Sequence, residues 1–202
     1  MALDARVVLH DPNVAEDKLP RLAIRPYPAQ YITSWAMTDG TMITFRPIRP
    51  EDEPLMVKFH ESLSDRSVYL RFFHPMLLGQ RVAHERLARI CFNDYDRELA
   101  LVAERKNPAT GEREIIAVGR LSKTRGVDEA RFSMLISDAY QGRGLGAELL
   151  RNLLSVARRE KLRRITAAIT SDNVAMQSVA RKLGFRLEAG EGAMMTAIID
   201  LG

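Results

Sequence analysis

The chain reads as an α+β, or mixed α/β, domain. Three observations carry that reading: paired strand-like runs separated by turn residues, a long run of leucines at helical spacing behind a glycine-rich loop, and a strand–helix–strand–helix–strand order around that loop. At 202 residues the sequence holds one domain of ordinary size plus a tail.

The tail comes first. Pro12, Pro20, Pro26 and Pro28 crowd its later part, and the Pro26-Tyr27-Pro28 run is too rigid and too poor in N–H donors for a helix or a central strand. Residues 1–38 are therefore expected to be a linker, able to pack along the domain through Tyr27, Tyr31 and Trp35. The domain is placed at 39–202, opening on the turn pair Asp39-Gly40.

A strand is predicted over 43–48. Pro50-Glu51-Asp52 then opens a helix reaching Ser62, because proline suits a first turn and acids there complement the helix dipole. Ser64 or Asp65 caps a second helix through Phe72, and 80–91 reads as a third, with Val82, Leu87 and Ile90 as its apolar positions. Strands follow at 99–104 and 114–121 around a turn at Asn107-Pro108 and Gly111, then at 130–137. Over 144–160, Leu145, Leu149, Leu153 and Ala157 recur every four residues, flanked by Leu150 and Leu154. A strand at 165–170 precedes a helix over 173–183, capped by Ser171, Asp172 or Asn173 and stopped by Gly184. Strands at 185–188 and 194–199 close the chain.

Composition narrows the function classes. A hydrophobic share of 46% with 28% charged residues suits a packed soluble core. No basic head with an apolar run marks a leader, and no stretch has the roughly 18 apolar residues a membrane span needs. The single cysteine, Cys91, excludes an internal disulfide framework and multi-cysteine zinc sites, and between Ile90 and Phe92 it reads as a buried, inert thiol in a reducing, cytoplasmic setting. No metal site is expected. The formal net charge is +4, concentrated in Arg151, Arg158, Arg159, Lys161, Arg163 and Arg164. That stretch has no interleaved aromatic, which argues against nucleic acid and suits a small polyanionic ligand better.

The densest signal is Gln141-Gly142-Arg143-Gly144-Leu145-Gly146, between a strand and the strongest helix. Glycines there allow positive φ and close backbone approach. The first helical turn leaves amide hydrogens unpaired at the positive end of the dipole, which makes an anion cradle suited to a diphosphate. A Walker A loop would end Gly-Lys-Ser/Thr, and neither the lysine nor the hydroxyl is present. A dinucleotide fingerprint forced onto Gly142, Gly144 and Ala147 would leave too little chain behind it for a doubly wound sheet.

The Gln-x-x-Gly-x-Gly loop resembles the coenzyme A pyrophosphate loop of GNAT acetyltransferases, and Asp172-Asn173-Val174-Ala175-Met176 with Lys182-Leu183-Gly184-Phe185 resembles the helix start and Leu-Gly-Phe ending that follow it there. The resemblance implies the GNAT acyltransferase fold: a central, mostly antiparallel sheet splayed at the cofactor cleft, with helices on both faces. It also implies acetyl-CoA as co-substrate. The pantetheine arm would pair with backbone near Leu135, Ile136 and Ser137. Gln141, Gly142, Arg143, Gly144, Leu145 and Gly146 would hold the pyrophosphate, and Asn173 would help hold the arm. The 3′-phosphate would meet Arg143, Arg181 or Lys182.

Further stretches resemble the GNAT domain of bacterial protein lysine acetyltransferases, often fused behind an ADP-forming acyl-CoA synthetase. They are residues 45–52 (Phe45-Arg46-Pro47-Ile48-Arg49-Pro50-Glu51-Asp52), 67–72 (Ser67-Val68-Tyr69-Leu70-Arg71-Phe72) and 94–97 (Asp94-Tyr95-Asp96-Arg97). Ala2-Leu3-Asp4-Ala5-Arg6-Val7 is similar to the closing strand of that partner's ATP-grasp subunit, and Asp4 alone cannot form a nucleotide site. The implied acceptor is a protein lysine, on a partner such as an acyl-CoA synthetase.

A free lysine has a pKa of about 10.4, so roughly one in two thousand is a nucleophile at neutral pH. The proton therefore needs a base, commonly a carboxylate. The resemblance puts a glutamate in an Ala-Glu-Phe pattern on the strand before the loop; the matching residues here are Ala130-Arg131-Phe132, and an arginine cannot accept a proton. Glu129, two residues earlier on the same strand face, is the expected substitute catalytic base, about 7 Å away along the strand unless a bulge moves it. The family's tyrosine acid matches Ala180, leaving water to protonate the thiolate. His60, His74 and His84 have polar neighbours and read as surface histidines. An acetyl-CoA-sensing module with little turnover remains the alternative.

Overall fold

The computed structural model describes residues 25–202. Residues 2–7, where the ATP-grasp-like stub falls, lie outside the described residues. Eight strands form one open sheet in the order β1-β2-β3-β4-β5-β6-β8-β7. They are β1 (Thr33–Ala36), β2 (Met42–Pro47), β3 (Glu98–Lys106), β4 (Arg113–Lys123), β5 (Glu129–Ile136), β6 (Arg164–Thr170), β7 (Arg186–Ala189) and β8 (Met194–Asp200). Every neighbouring pair is antiparallel except β5 and β6, which run parallel. The α+β fold expected from the sequence is the one observed.

Among the described residues six α-helices cover both faces of this sheet: α1 (Glu53–Glu61), α2 (Asp65–Phe72), α3 (Leu78–Arg81), α4 (His84–Cys91), α5 (Leu145–Arg159) and α6 (Val174–Lys182). On one face the leucine stripe of α5 packs on β3, β4 and β5. The approach is close: a Cβ on Gly119 would lie 2.8 Å from Leu153 and 3.0 Å from Leu149. The opposite face is covered by α1, α2 and α4 over Ile48, Val102, Ile115 and Leu135.

The Phe45–Asp52 stretch owes its character to one buried ion pair. Arg46 is 4% exposed and donates through Nη1 and Nη2 to both oxygens of Asp52 (2.7 Å each), while Nε and Nη2 reach Glu104 (3.0 and 2.6 Å). Asp52 also accepts from the Arg49 N–H, closing the turn that starts α1. Taking a guanidinium out of water costs roughly several kcal/mol, and pairing of this kind offsets that cost.

Two sequence expectations are corrected. The helix over 80–91 is two helices, because Val82 leaves helical geometry (φ −100°, ψ 3°) and Ala83 is extended, while Arg81 turns inward to donate to the His60 carbonyl (3.0 Å). The stretch before residue 39, expected as an extended linker, is in part regular structure. Residues 33–36 pair with β2 as an edge strand, Tyr31 is buried in the main core, and Trp35 packs beside Phe45. Tyr31 donates to Glu160 (2.6 Å), which also accepts from Lys123 and Arg25; despite its burial, these bonds hold the Glu160 carboxyl down at about 2. The proline-rich approach hides all this from a reading of local pattern. No helix among the described residues is long and apolar enough to cross a membrane.

Candidate active site

The parallel pairing of β5 with β6 covers only Glu129, Ala130 and Arg131 against Arg164, Ile165 and Thr166. Beyond it the two strands part, β6 staying with β8, which it pairs along its whole length, and β5 staying on β4. The gap opens into a cleft of about 700 Å³ walled by Phe132, Met134 and Ile136 of β5, Ala167 and Ile169 of β6, Met176 and Val179 of α6, and the Gly142–Ala147 loop.

Backbone alternation decides which strand atoms face that gap. The Ser137 N–H donates to the Ile116 carbonyl (2.9 Å), toward β4. Odd-numbered residues of β5 thus spend their backbone groups on β4, and even-numbered ones face the gap. Ile136 is positioned for the role expected of it, with its carbonyl already accepting from the Gln141 side chain (3.0 Å) and its N–H directed to the cleft. The expectation fails for Leu135, whose backbone is paired with β4, and for Ser137, whose N–H donates to Ile116 while its carbonyl accepts from the Tyr140 N–H (2.9 Å); Met134 takes their place.

At the mouth of the cleft, Gly142 and Gly144 have φ of +72° and +85°, a conformation that disfavours other residues. None of the N–H groups from Gly142 to Ala147 has a hydrogen-bond acceptor among the described residues; the first to find one is Glu148, which donates to the Gly144 carbonyl (3.1 Å). A Cβ at Gly146 would lie 2.9 Å from Ile136 Cδ1, so glycine lets the start of α5 press against β5. Leu145 turns its side chain into the core with no exposure. Free donors, the positive end of a long helix and an adjoining apolar cleft fit a diphosphate joined to a long arm.

Gln141 has another part. Its amide donates to Ser67 (2.9 Å) and to Ile136, so it ties the loop to α2 and to the end of β5 rather than pointing into the cradle. Asp138 completes the clamp by accepting from the Ser64 N–H and from the hydroxyls of Ser64 and Ser67 (2.9, 2.7 and 2.9 Å). These contacts span more than seventy positions in sequence, so local spacing gave no signal for Ser67 or Asp138. Asn173 caps α6, its oxygen accepting from the Met176 N–H (3.1 Å), and its amide group remains available at the cleft wall. Of the three candidate cations, Lys182 lines the cleft, whereas Arg143 lies on the Tyr140 ring and 3.7 Å from Asp39.

The acceptor end differs. Arg131 lines the cleft beside Ser122, Ser133 and Arg71. No aspartate or glutamate lines it among the described residues. Glu129 is not brought in: β5 has no bulge that would carry it forward, and its carboxylate lies 3.6 Å from Arg164, where the sheet is still closed. The expected substitute base is therefore misplaced. Glu98 shares a cross-strand row with Ser122 and Arg131 and accepts from the Ser122 hydroxyl (3.0 Å), two strands or about 10 Å from Arg131. Ala180 is fully buried in the core and offers no acid. His60 is not a surface histidine: it is 2% exposed, and burial, with Arg81, Arg86 and Arg71 nearby, pushes its imidazole down to about 4. His84 is exposed and raised by its bond to Glu53.

Comparison with known proteins gives a consistent result. The Acetyltransferase (GNAT) domain family matches residues 42–186. The crystal structure of the GNAT domain of S. lividans PAT superposes with a TM-score of 0.76 at 30% identity, covering 87% of this chain and all of that one. An acetyltransferase of Pseudomonas aeruginosa is 29% identical over 150 residues, 74% of this chain and 78% of its own length. The acetyltransferase Pat of Mycolicibacterium smegmatis is 25% identical over 184 residues, 88% of this chain but 51% of its own length.

Proposed function

The chain belongs to the GNAT acetyltransferase family, and from that premise we propose that it transfers an acetyl group from acetyl-CoA to the side-chain amine of a protein lysine. The observation that carries the cofactor assignment is the run of free amides from Gly142 to Ala147 at the mouth of the β5–β6 gap. Acetyl-CoA supplies an activated acetyl thioester when bound. The loop amides and the α5 dipole hold the pyrophosphate, Lys182 serves the 3′-phosphate, and the Ile136 N–H with the Asn173 amide orients the arm. The resemblance to bacterial protein lysine acetyltransferases supports lysine as acceptor and an acyl-CoA synthetase as partner.

The amine must lose a proton before it attacks, and with no carboxylate on the cleft wall among the described residues that proton passes to water. Arg131 and Arg71 act on this step in two ways. Their charge disfavours the ammonium form of a nearby amine, lowering its pKa, and it also repels the cationic acceptor as it arrives. The expected result is slow transfer. The missing carboxylate favours one second reading, a module that binds acetyl-CoA and regulates a partner with little turnover. Mass spectrometry of candidate acyl-CoA synthetases after incubation with this protein and acetyl-CoA tests the proposal. Acetylated lysines above the non-enzymatic level are expected; their absence across the candidates would leave the regulatory reading.

A further inference from the structure

Behind the acceptor end of the cleft lies a second cavity, of about 390 Å³, between the sheet and helices α1, α2 and α4. It shares Arg71, Ser133 and Leu135 with the cleft, so the two spaces meet at the wall where the amine must sit. Met56, Phe59 and Phe72 form its apolar side. Its polar side is built from arginines carried by three separate elements: Arg71 on α2, Arg86 and Arg89 on α4, and Arg120 on β4.

The charges here are not balanced. Arg120 is paired with Glu98 and donates to the Ile90 carbonyl (3.0 Å) and Asn93 (3.3 Å). Arg71 has the Ser133 hydroxyl (2.7 Å) and the face of Phe72 (4.9 Å), and Arg86 has the Phe72 ring (5.1 Å); neither has a carboxylate within ion-pair distance among the described residues. The Arg86 Nε is buried, as is His60 Nδ1, and neither has a hydrogen-bond partner among the described residues. Burial pushes Arg71 down to about 10, with Arg120 and Arg86 adding to the effect. Glu85, also on the wall, enters no ion pair among the described residues. Arg46, with Asp52 and Glu104 on its guanidinium, shows how this fold compensates a buried arginine when the partner is its own. Around Arg71 and Arg86 no such partner stands among the described residues, and a planar fork of donors is the group best matched to a carboxylate.

We propose that this cavity is the carboxylate-binding half of the acceptor site, in which Arg71 and Arg86 grip a carboxylate of the acceptor while its amine enters the cleft past Ser133 and Leu135. This rests on reading the cleft as the acetyl-CoA site. The carboxylate comes either from an acidic side chain beside the target lysine of a protein or from the acceptor's own amino-acid carboxyl group. It supplies the negative charge that Arg131 took from the strand, and it offsets the repulsion that the cationic wall exerts on an ammonium.

Two measurements test it. The first needs no turnover: glutarate is titrated into the full-length protein while the unfolding temperature is followed. A saturable rise is expected in the native protein, largely lost in Arg86→Gln and partly kept in Arg86→Lys, with the unliganded midpoints showing that both variants fold. No saturable rise, or an equal rise in Arg86→Gln, would overturn the proposal. The second compares acetyl transfer within two pairs: lysine peptides with Asp or Asn beside the lysine, and free lysine against lysine amide. A KM about 10-fold lower for the carboxylate member of either pair, abolished in Arg86→Gln, supports the proposal and identifies the source of the carboxylate. Equal KM in both pairs, or a preference that survives the substitution, contradicts it. If no acceptor is acetylated, the proposed transferase function fails, and the glutarate titration alone decides whether the carboxylate site exists.

Discussion

The two ends of the cleft are made of different parts. At the pyrophosphate end, residues 142–147 present main-chain N–H groups, and side chains matter chiefly by being absent, as at Gly142, Gly144 and Gly146. At the acceptor end the surface is written in side chains: Arg71, Ser122, Arg131 and Ser133, with no carboxylate among them. A main-chain site tolerates drift in everything except its glycines. A side-chain site can change its chemistry through one substitution.

The comparison breaks most easily at its first term. In Gly144→Glu a residue with φ of +85° gains both strain and a negative charge beside the free amides. Calorimetry should show acetyl-CoA affinity falling about 100-fold, or roughly 2.7 kcal/mol, in a protein that still unfolds cooperatively. Undiminished affinity would mean that the loop is not the cradle. The smallest effect is expected at Glu129, whose carboxylate is engaged with Arg164 outside the cleft. Glu129→Gln should change the transfer rate by less than about two-fold, against the 10²–10⁴ that a positioned general base contributes. A large loss in steady-state kinetics would restore Glu129 as the base and place the strand's reactive face one step earlier.

The same contrast explains what the sequence could reveal. The α5 stripe, the glycines of the loop, the Ser64 cap on α2 and the Asn173 cap on α6 are local patterns, with cause and effect a few residues apart. The β1 strand was hidden because it is short, lies at the sheet edge, and follows prolines that read as a linker. The break at 82–83 accompanies the bond from Arg81 to the His60 carbonyl, a contact no helical period encodes. Leu135 belongs to β5 but not to the gap, and Ser137 lies just past the strand's end, since which residues face an open edge is fixed by hydrogen-bond phase with β4. The arginine cavity was invisible for the plainest reason: its residues come from three elements that only the fold brings together.

The central claim is that the cofactor end is intact and the acceptor end lacks only its base. Single-turnover acetylation of a lysine peptide by Arg131→Glu, beside the native protein and with acetyl-CoA affinity measured for both, tests it most directly. The account predicts an increase of about 10-fold or more in the transfer rate, steeper with rising pH until the new carboxylate is ionised, and an acetyl-CoA Kd unchanged within about two-fold. Brisk transfer by the native protein that Arg131→Glu leaves unchanged or slows would contradict it, and would mean that a base outside this strand already does the work.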